Sequence, residues 1–271
     1  MKIVNLMEDT KGVDGCINEH GLCFYAETNK HKLLVDTGAS DAILENAKTL
    51  GIDLAQVDTV VISHGHYDHT GGLLAFAKEN PNAKIYMRAN AGRAYYSIKE
   101  QGEKYIGIHQ DILKLPQLVL VEGDLQIDEE LSLFTNVTGR RFWAKGNLLL
   151  KRKDGEHLVQ DEFEHEQCLV VTEGERNVLF SGCAHNGILN ILEKYRELYQ
   201  SYPDMVVSGF HMIQQEYTPE DIENIRQTAR ELAKLDCIFY SGHCTGQLAL
   251  DVMIEIMQEQ LHQIHSGTRI L

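Results

Sequence analysis

At 271 residues with 43% hydrophobic content, the chain can bury one large core or two modest ones. No Pro/Ser-rich linker divides it, so a single domain over 1–271 is expected. The formal net charge of −15, from 25 Lys+Arg against 40 Asp+Glu, repels a polyphosphate backbone, and no basic tract carries interleaved aromatics, so a nucleic-acid partner is not expected. Six scattered cysteines without a paired framework, no signal-like opening and no apolar run near the roughly 20 residues of a membrane span predict a cytoplasmic protein away from membranes.

In chain order, KIVNL, LCFYAET and HKLLVD are short strand candidates, with Asn29-Lys30 as a hairpin turn before Asp36. Ile43, Leu44, Ala47 and Leu50 follow helical spacing after Ser40 or Asp41 as cap, with Gly51 as the stop. Val60, Val61 and Ile62 form a β-branched run that reads as a buried strand, and SHGHYDH after it must be a loop leaving the sheet edge. In that loop His64 and His66 can project to one side while Asp68 and His69 reach a second point. Two clusters of donors at this spacing suit two metal ions sharing a water.

Further along, Leu73, Leu74 and Ala77 continue a helix that Pro81 ends, and KIYM returns as a strand. Residues 88–117 lack a clean period and read as a lid or substrate-binding insertion, with Arg88, Arg93, Tyr95, Tyr96 and His109 as groups that could meet an anion. The segments LVLVE, LSLFTNV and LLLKRKDGEH are expected in a second sheet, and Arg140, Arg141 and Lys145 cluster near Trp143. Three later strands end in polar tips: NVLF before Ser181-Gly182-Cys183-Ala184-His185, MVV before Gly209-Phe210-His211, and CIFY before Gly242-His243-Cys244. Thr218 caps and Pro219 starts a helix carrying Ile222, Ile225, Ala229 and Leu232, and the chain closes on another helix and an edge strand at 268–270.

The run His64-x-His66-x-Asp68-His69 meets in full the signature of the metallo-β-lactamase superfamily, and the chain resembles that family over nearly its whole length. The resemblance implies an α/β fold, a four-layer αβ/βα sandwich with two mixed sheets and a metal site at the sheet edges. It implies two divalent metal ions, zinc first with iron or manganese as alternatives. His64, His66 and His185 would hold one ion; Asp68, His69 and His243 would hold the other, with Asp36 beneath orienting a histidine. His165 competes with His185, and Cys183 stands where many relatives carry a bridging aspartate, as a ligand or as a small buried thiol.

The trio GCAHNGILNI, GFHM and GHCTG resembles the branch that includes 7,8-dihydropterin-6-methyl-4-(β-ribofuranosyl)aminobenzene-5′-phosphate synthases. The expected function is that of a metal-dependent hydrolase acting through metal-bound hydroxide on a small, phosphate-bearing molecule. Asp68 would orient the hydroxide and His211 would protonate a leaving group or stabilise developing charge. The alternatives are a condensing enzyme of that branch and a metal-bound sensor without turnover. Diiron redox chemistry is disfavoured because the flavoprotein relatives imply a glutamate where this chain has His66.

Overall fold

The computed structural model describes residues 1–100 and 102–271. The opening strands β1 (Lys2–Met7), β2 (Cys23–Glu27) and β3 (Lys32–Val35) form the expected antiparallel meander, and the hairpin closes where Thr28 N donates to His31 O at 2.9 Å. Helix α1 (Ala42–Thr49) follows, its N-terminus covered by Ser40, whose Oγ accepts from Ala42 N at 3.1 Å. Strand β4 (Thr59–Val61) then leads through the histidine loop into the single turn α2 (Tyr67–Thr70), helix α3 (Leu73–Glu79) and strand β5 (Lys84–Arg88).

The next stretch departs from expectation. Residues 88–117 hold an antiparallel hairpin, β6 (Tyr95–Lys99) and β7 (Gly102–Tyr105), before β8 (Leu118–Val121). Strand β8 pairs parallel with β5 and so belongs to the first sheet, not the second. After β9 (Leu125–Gln126) and β10 (Leu131–Thr135), the hairpin of β11 (Leu150–Asp154) and β12 (His157–Gln160) pairs with β6 in a separate four-stranded sheet. Strand-like sequence marks a strand but not its partner, because pairing is decided by long-range side-chain contacts.

The second half alternates regularly: β13 (Gln167–Glu173), β14 (Arg176–Phe180), α4 (Ile188–Tyr199), β15 (Met205–Val207), α5 (Pro219–Leu232), β16 (Ile238–Ser241), α6 (Gln247–Met257) and β17 (Leu261–Gln263). Helix α5 starts as expected, with Thr218 and Asp221 in a reciprocal capping box and Pro219 in its first turn. Residue Arg269 forms a bridge to Val4 on the free edge of β1.

Six strands in the order β1-β2-β3-β4-β5-β8 face seven in the order β17-β16-β15-β14-β13-β10-β9. Successive residues of a strand point to opposite faces, and here both faces are dry. Val61 packs between the sheets with Phe24, Leu169 and Val207, whereas Val60 packs under the helices with Ala47, Leu73 and Phe76. A third cluster buries α4, α5 and α6 against the other side of the second sheet. The result is the four-layer αβ/βα sandwich. Each fully buried valine or isoleucine contributes about 1.5–3 kcal/mol, so runs such as Val60-Val61-Ile62 hold the frame from which the polar loops project.

Candidate metal centre

Parallel strands β3, β4, β14, β15 and β16 end side by side, and the polar tips that follow them meet at one edge of the sandwich. Four non-glycine residues in these tips have left-handed backbones: Asp36 at φ 61°, Ala184 at 50°, His211 at 48° and His243 at 50°. Such conformations cost of order 1–3 kcal/mol each, and they persist where neighbouring structure fixes them.

The rings of His64, His66 and His185 form one group, with centroid separations of 4.6 Å, 4.8 Å and 4.9 Å. All three are buried, and the Nε2 of each has no hydrogen-bond partner. Their other nitrogens are partly accounted for: Ser63 Oγ lies 2.9 Å from His64 Nδ1, and Asn147 Oδ1 accepts from His185 Nδ1 at 3.1 Å. Burial, reinforced by the crowding of neighbouring imidazoles, drives the pKa of His64 and His185 well down; burial and His165 bring that of His66 to about 3. Three neutral rings therefore present lone pairs to one region, which is the donor set a divalent cation takes.

His69, His243 and Asp68 form a second group. His69 Nε2 lies 3.7 Å and His243 Nε2 3.4 Å from Asp68 Oδ2. Asp36 Oδ2 accepts from His69 Nδ1 at 2.7 Å, and Asp9 Oδ1 accepts from His243 Nδ1 at 2.6 Å. His243 Nε2 is a further buried nitrogen without a partner. Burial opposes charge on Asp68, but His69, His243 and His66 outweigh it and hold its carboxyl below the usual carboxylate range. Burial likewise opposes protonation of His69 and His243; the carboxylates of Asp36 and Asp68 on the first ring, and of Asp68 and Asp9 on the second, reverse this and raise both. The unpartnered Nε2 of His243 and the carboxylate of Asp68 beside it are, like the three nitrogens of the first group, donors of the kind a divalent cation takes.

Cys183 lies between the two groups. Its Sγ shares a cluster with His64 and His185 and another with His69 and His243, all ligand atoms within 4.8 Å of one another, and it is 3.1 Å from His69 Nε2. Cys244 and His211 lie against it, and the His211 ring is 4.1 Å from that of His185.

His165, the rival to His185, is fully buried and both of its nitrogens are occupied. Gly65 N donates to its Nδ1 at 2.9 Å, and Asp161 Oδ2 lies 3.0 Å from its Nε2. Neighbouring Glu166 is buried too, receiving His185 N at 2.6 Å and Asn186 N at 3.0 Å. Glu166, Asn147 and Asp9 are supports that no local motif announces, since each reaches the site from a distant part of the chain.

A cavity of about 890 Å³ opens over both groups. Tyr67, Ile98, Ile106, Leu148 and Leu150 give it an apolar wall, and Lys99, Lys104 and Lys145 stand among its charged groups. Arg140 and Arg141 are engaged elsewhere, paired with Glu162, Glu193 and Glu231, and Arg88 is buried against backbone carbonyls of Val121 and Glu164. Lys145 pairs with Asp221 at 2.7 Å.

The family model for the metallo-β-lactamase superfamily matches residues 18–140. The solved structure of Tm1679, described as a metal-dependent hydrolase of the β-lactamase superfamily, is 32% identical, and the match covers 100% of this chain and 98% of that one with a TM-score of 0.83. The chain belongs to the metallo-β-lactamase superfamily. A second relative of this metallo-β-lactamase protein is the 7,8-dihydropterin-6-methyl-4-(β-D-ribofuranosyl)-aminobenzene-5′-phosphate synthase of Methanocaldococcus jannaschii, 29% identical over 98% of this chain and 95% of the synthase. Zn(2+)-bound PqqB of Methylobacterium extorquens shares the fold alone, at 12% identity, full coverage of both chains and a TM-score of 0.61. Among the described residues, no helix of this superfamily member is long and apolar enough to cross a membrane.

Proposed function

We propose that the protein is a metal-dependent hydrolase of small, phosphate-bearing molecules, holding one divalent cation with His64, His66 and His185 and a second with Asp68, His69 and His243. The observation that carries this reading is the set of buried imidazole Nε2 atoms of His64, His66, His185 and His243 that have no partner in the protein. Leaving such groups unpaired costs about 1–3 kcal/mol each, which a bound cation offsets. Imidazole-rich donors favour zinc, with iron or manganese as alternatives. Cations there would supply Lewis acidity and a lowered pKa for a water, the two contributions that opening an ester, lactone or phosphate bond requires.

The chain's own groups do the rest. Asp68, kept ionised, accepts a hydrogen bond from the attacking water and orients it. His211 lines the cavity with its Nδ1 unpartnered, placed to hydrogen-bond the leaving group or developing charge. The leucine and isoleucine wall takes an apolar body, while Lys99 and Lys104 face an anionic end. Residues 88–117, whose hairpin of β6 and β7 pairs with β11, are the substrate-binding insertion on a single domain, and the protein works in the cytoplasm on free small molecules.

Full-length likeness to the methanogen synthase favours a second reading, condensation of a dihydropterin with a phosphorylated sugar derivative in the same cavity. Elemental analysis of protein purified without chelator, followed by turnover assays on esters, lactones and phosphomonoesters and on the condensation, separates the readings. Two ions per chain with hydrolysis is the expected result. No metal even after reconstitution overturns both readings, and condensation without hydrolysis overturns the first.

A further inference from the structure

His20 belongs to no motif identified in the sequence, yet it is placed like the histidines of the second group. Three imidazole Nε2 atoms surround one oxygen, Asp68 Oδ2: His243 at 3.4 Å, His20 at 3.5 Å and His69 at 3.7 Å. Each of these rings is turned by a carboxylate on its other nitrogen. Asp36 holds His69, and Asp9 holds two rings at once, His243 through Oδ1 at 2.6 Å and His20 through Oδ2 at 2.8 Å. The rings of His20 and His243 stack at 4.7 Å with an interplanar angle of 28°.

With its Nδ1 held 2.8 Å from Asp9 Oδ2, the His20 ring turns its Nε2 toward the Asp68 carboxylate, as His243 does. Three ring nitrogens and a carboxylate oxygen gathered at one point are the donor types a divalent cation takes. The loop carrying His20 is fixed there. Glu19 accepts from the backbone N–H groups of Ala39 and Ser40 at 3.1 Å and 2.9 Å. Gly21 sits so close that a Cβ would lie 2.9 Å from the carbonyl oxygen of Asp68. Unlike the other rings, the His20 side chain is 53% exposed and faces the cavity.

We infer that His20 is a further donor to the second metal position, resting on the metal-dependent reading above. A carboxylate behind the ring is the arrangement that fixes tautomer and direction in metal-binding histidines.

Cobalt(II) is the probe, added stepwise to wild-type protein, His20→Ala and His20→Gln, with affinity measured by chelator competition and coordination followed by visible absorption. The expected result is two equivalents in the wild type. Both variants should bind the first normally and the second about 10- to 100-fold more weakly, with an altered absorption for that equivalent. A second equivalent bound by both variants with wild-type affinity and spectrum overturns the inference alone. Full rescue by His20→Gln also overturns it, because the amide can hold Asp9 without the ring. Wild-type protein that takes up no cobalt overturns this inference together with the proposed function.

Discussion

Asp36 Oδ2 accepts a hydrogen bond from His69 Nδ1 at 2.7 Å, while its Oδ1 receives Ser63 N at the same distance, so one carboxylate ties the end of β3 to both ends of the histidine loop. Asp36→Asn tests this tie, because asparagine tolerates the left-handed backbone found here at φ 61°. The folded variant should bind zinc at the His69 position about 10- to 100-fold more weakly by isothermal titration. Unchanged zinc affinity would show that His69 is not oriented through Asp36.

The nitrogen inventory separates His185 from His165. His185 has a free Nε2, whereas His165 spends both nitrogens on Gly65 and Asp161. Replacing His185 by alanine should lower metal content, and replacing His165 should lower the thermal midpoint while leaving metal content near normal. Elemental analysis with the reverse pattern would exchange their roles.

Asp68→Asn keeps shape and removes charge. It should stay folded, bind the second ion more weakly and lose about 10²-fold or more in kcat on the best substrate, the scale for a positioned acid–base group. Wild-type turnover in this variant would remove Asp68 from the chemistry.

Stability should depend on pH through His31, bridged to Asp58 at 2.7 Å and Asp128 at 2.6 Å. Burial lowers its pKa, but the two carboxylates outweigh this and raise it above the ordinary value. The folded state therefore binds the proton more tightly than the unfolded chain. That stabilisation is complete below the unfolded value of about 6.5 and is lost as pH rises through the higher folded value. Urea midpoints at pH 6 and pH 8.5 should differ less in His31→Gln than in the wild type; equal differences would remove His31 as a source of the dependence.

Gly71 has an ordinary φ of −64°, yet a Cβ there would lie 2.0 Å from the backbone oxygen of Ala39. Gly71→Ala should cost about 3 kcal/mol or more in denaturant unfolding, as overpacking against backbone does. Gly123→Ala, with nothing within 4 Å, is the control and should change stability by no more than about 0.5 kcal/mol. A mild effect at Gly71 would mean that the loop can move away from Ala39.

Individual strands and helices were legible in the sequence because they rest on local signals, whereas the sandwich and the expected ligand set followed from the resemblance carried by His64-x-His66-x-Asp68-His69. Val60-Val61-Ile62 reads as a buried strand, helix spacing identifies α1 and α5, and Thr218-Pro219 marks a helix start to the residue. Dense polar tips after apolar strands carried His64, His66, His185, His211 and His243, and adjacency alone tied Asp68 and His69 to them.

Partnerships between distant segments were decided only by tertiary structure. No local pattern places β8 in the first sheet or pairs β6 with β11, since an alternating or apolar run fits any edge that offers matching contacts. Nor does sequence spacing show that His165 is satisfied by Gly65 and Asp161, or that Asp9 turns both His20 and His243. Those assignments depend on which carboxylates and backbone groups lie within about 3 Å of a ring nitrogen once the sheets have packed, and one such hydrogen bond, from His243 to Asp9, joins residues 234 positions apart.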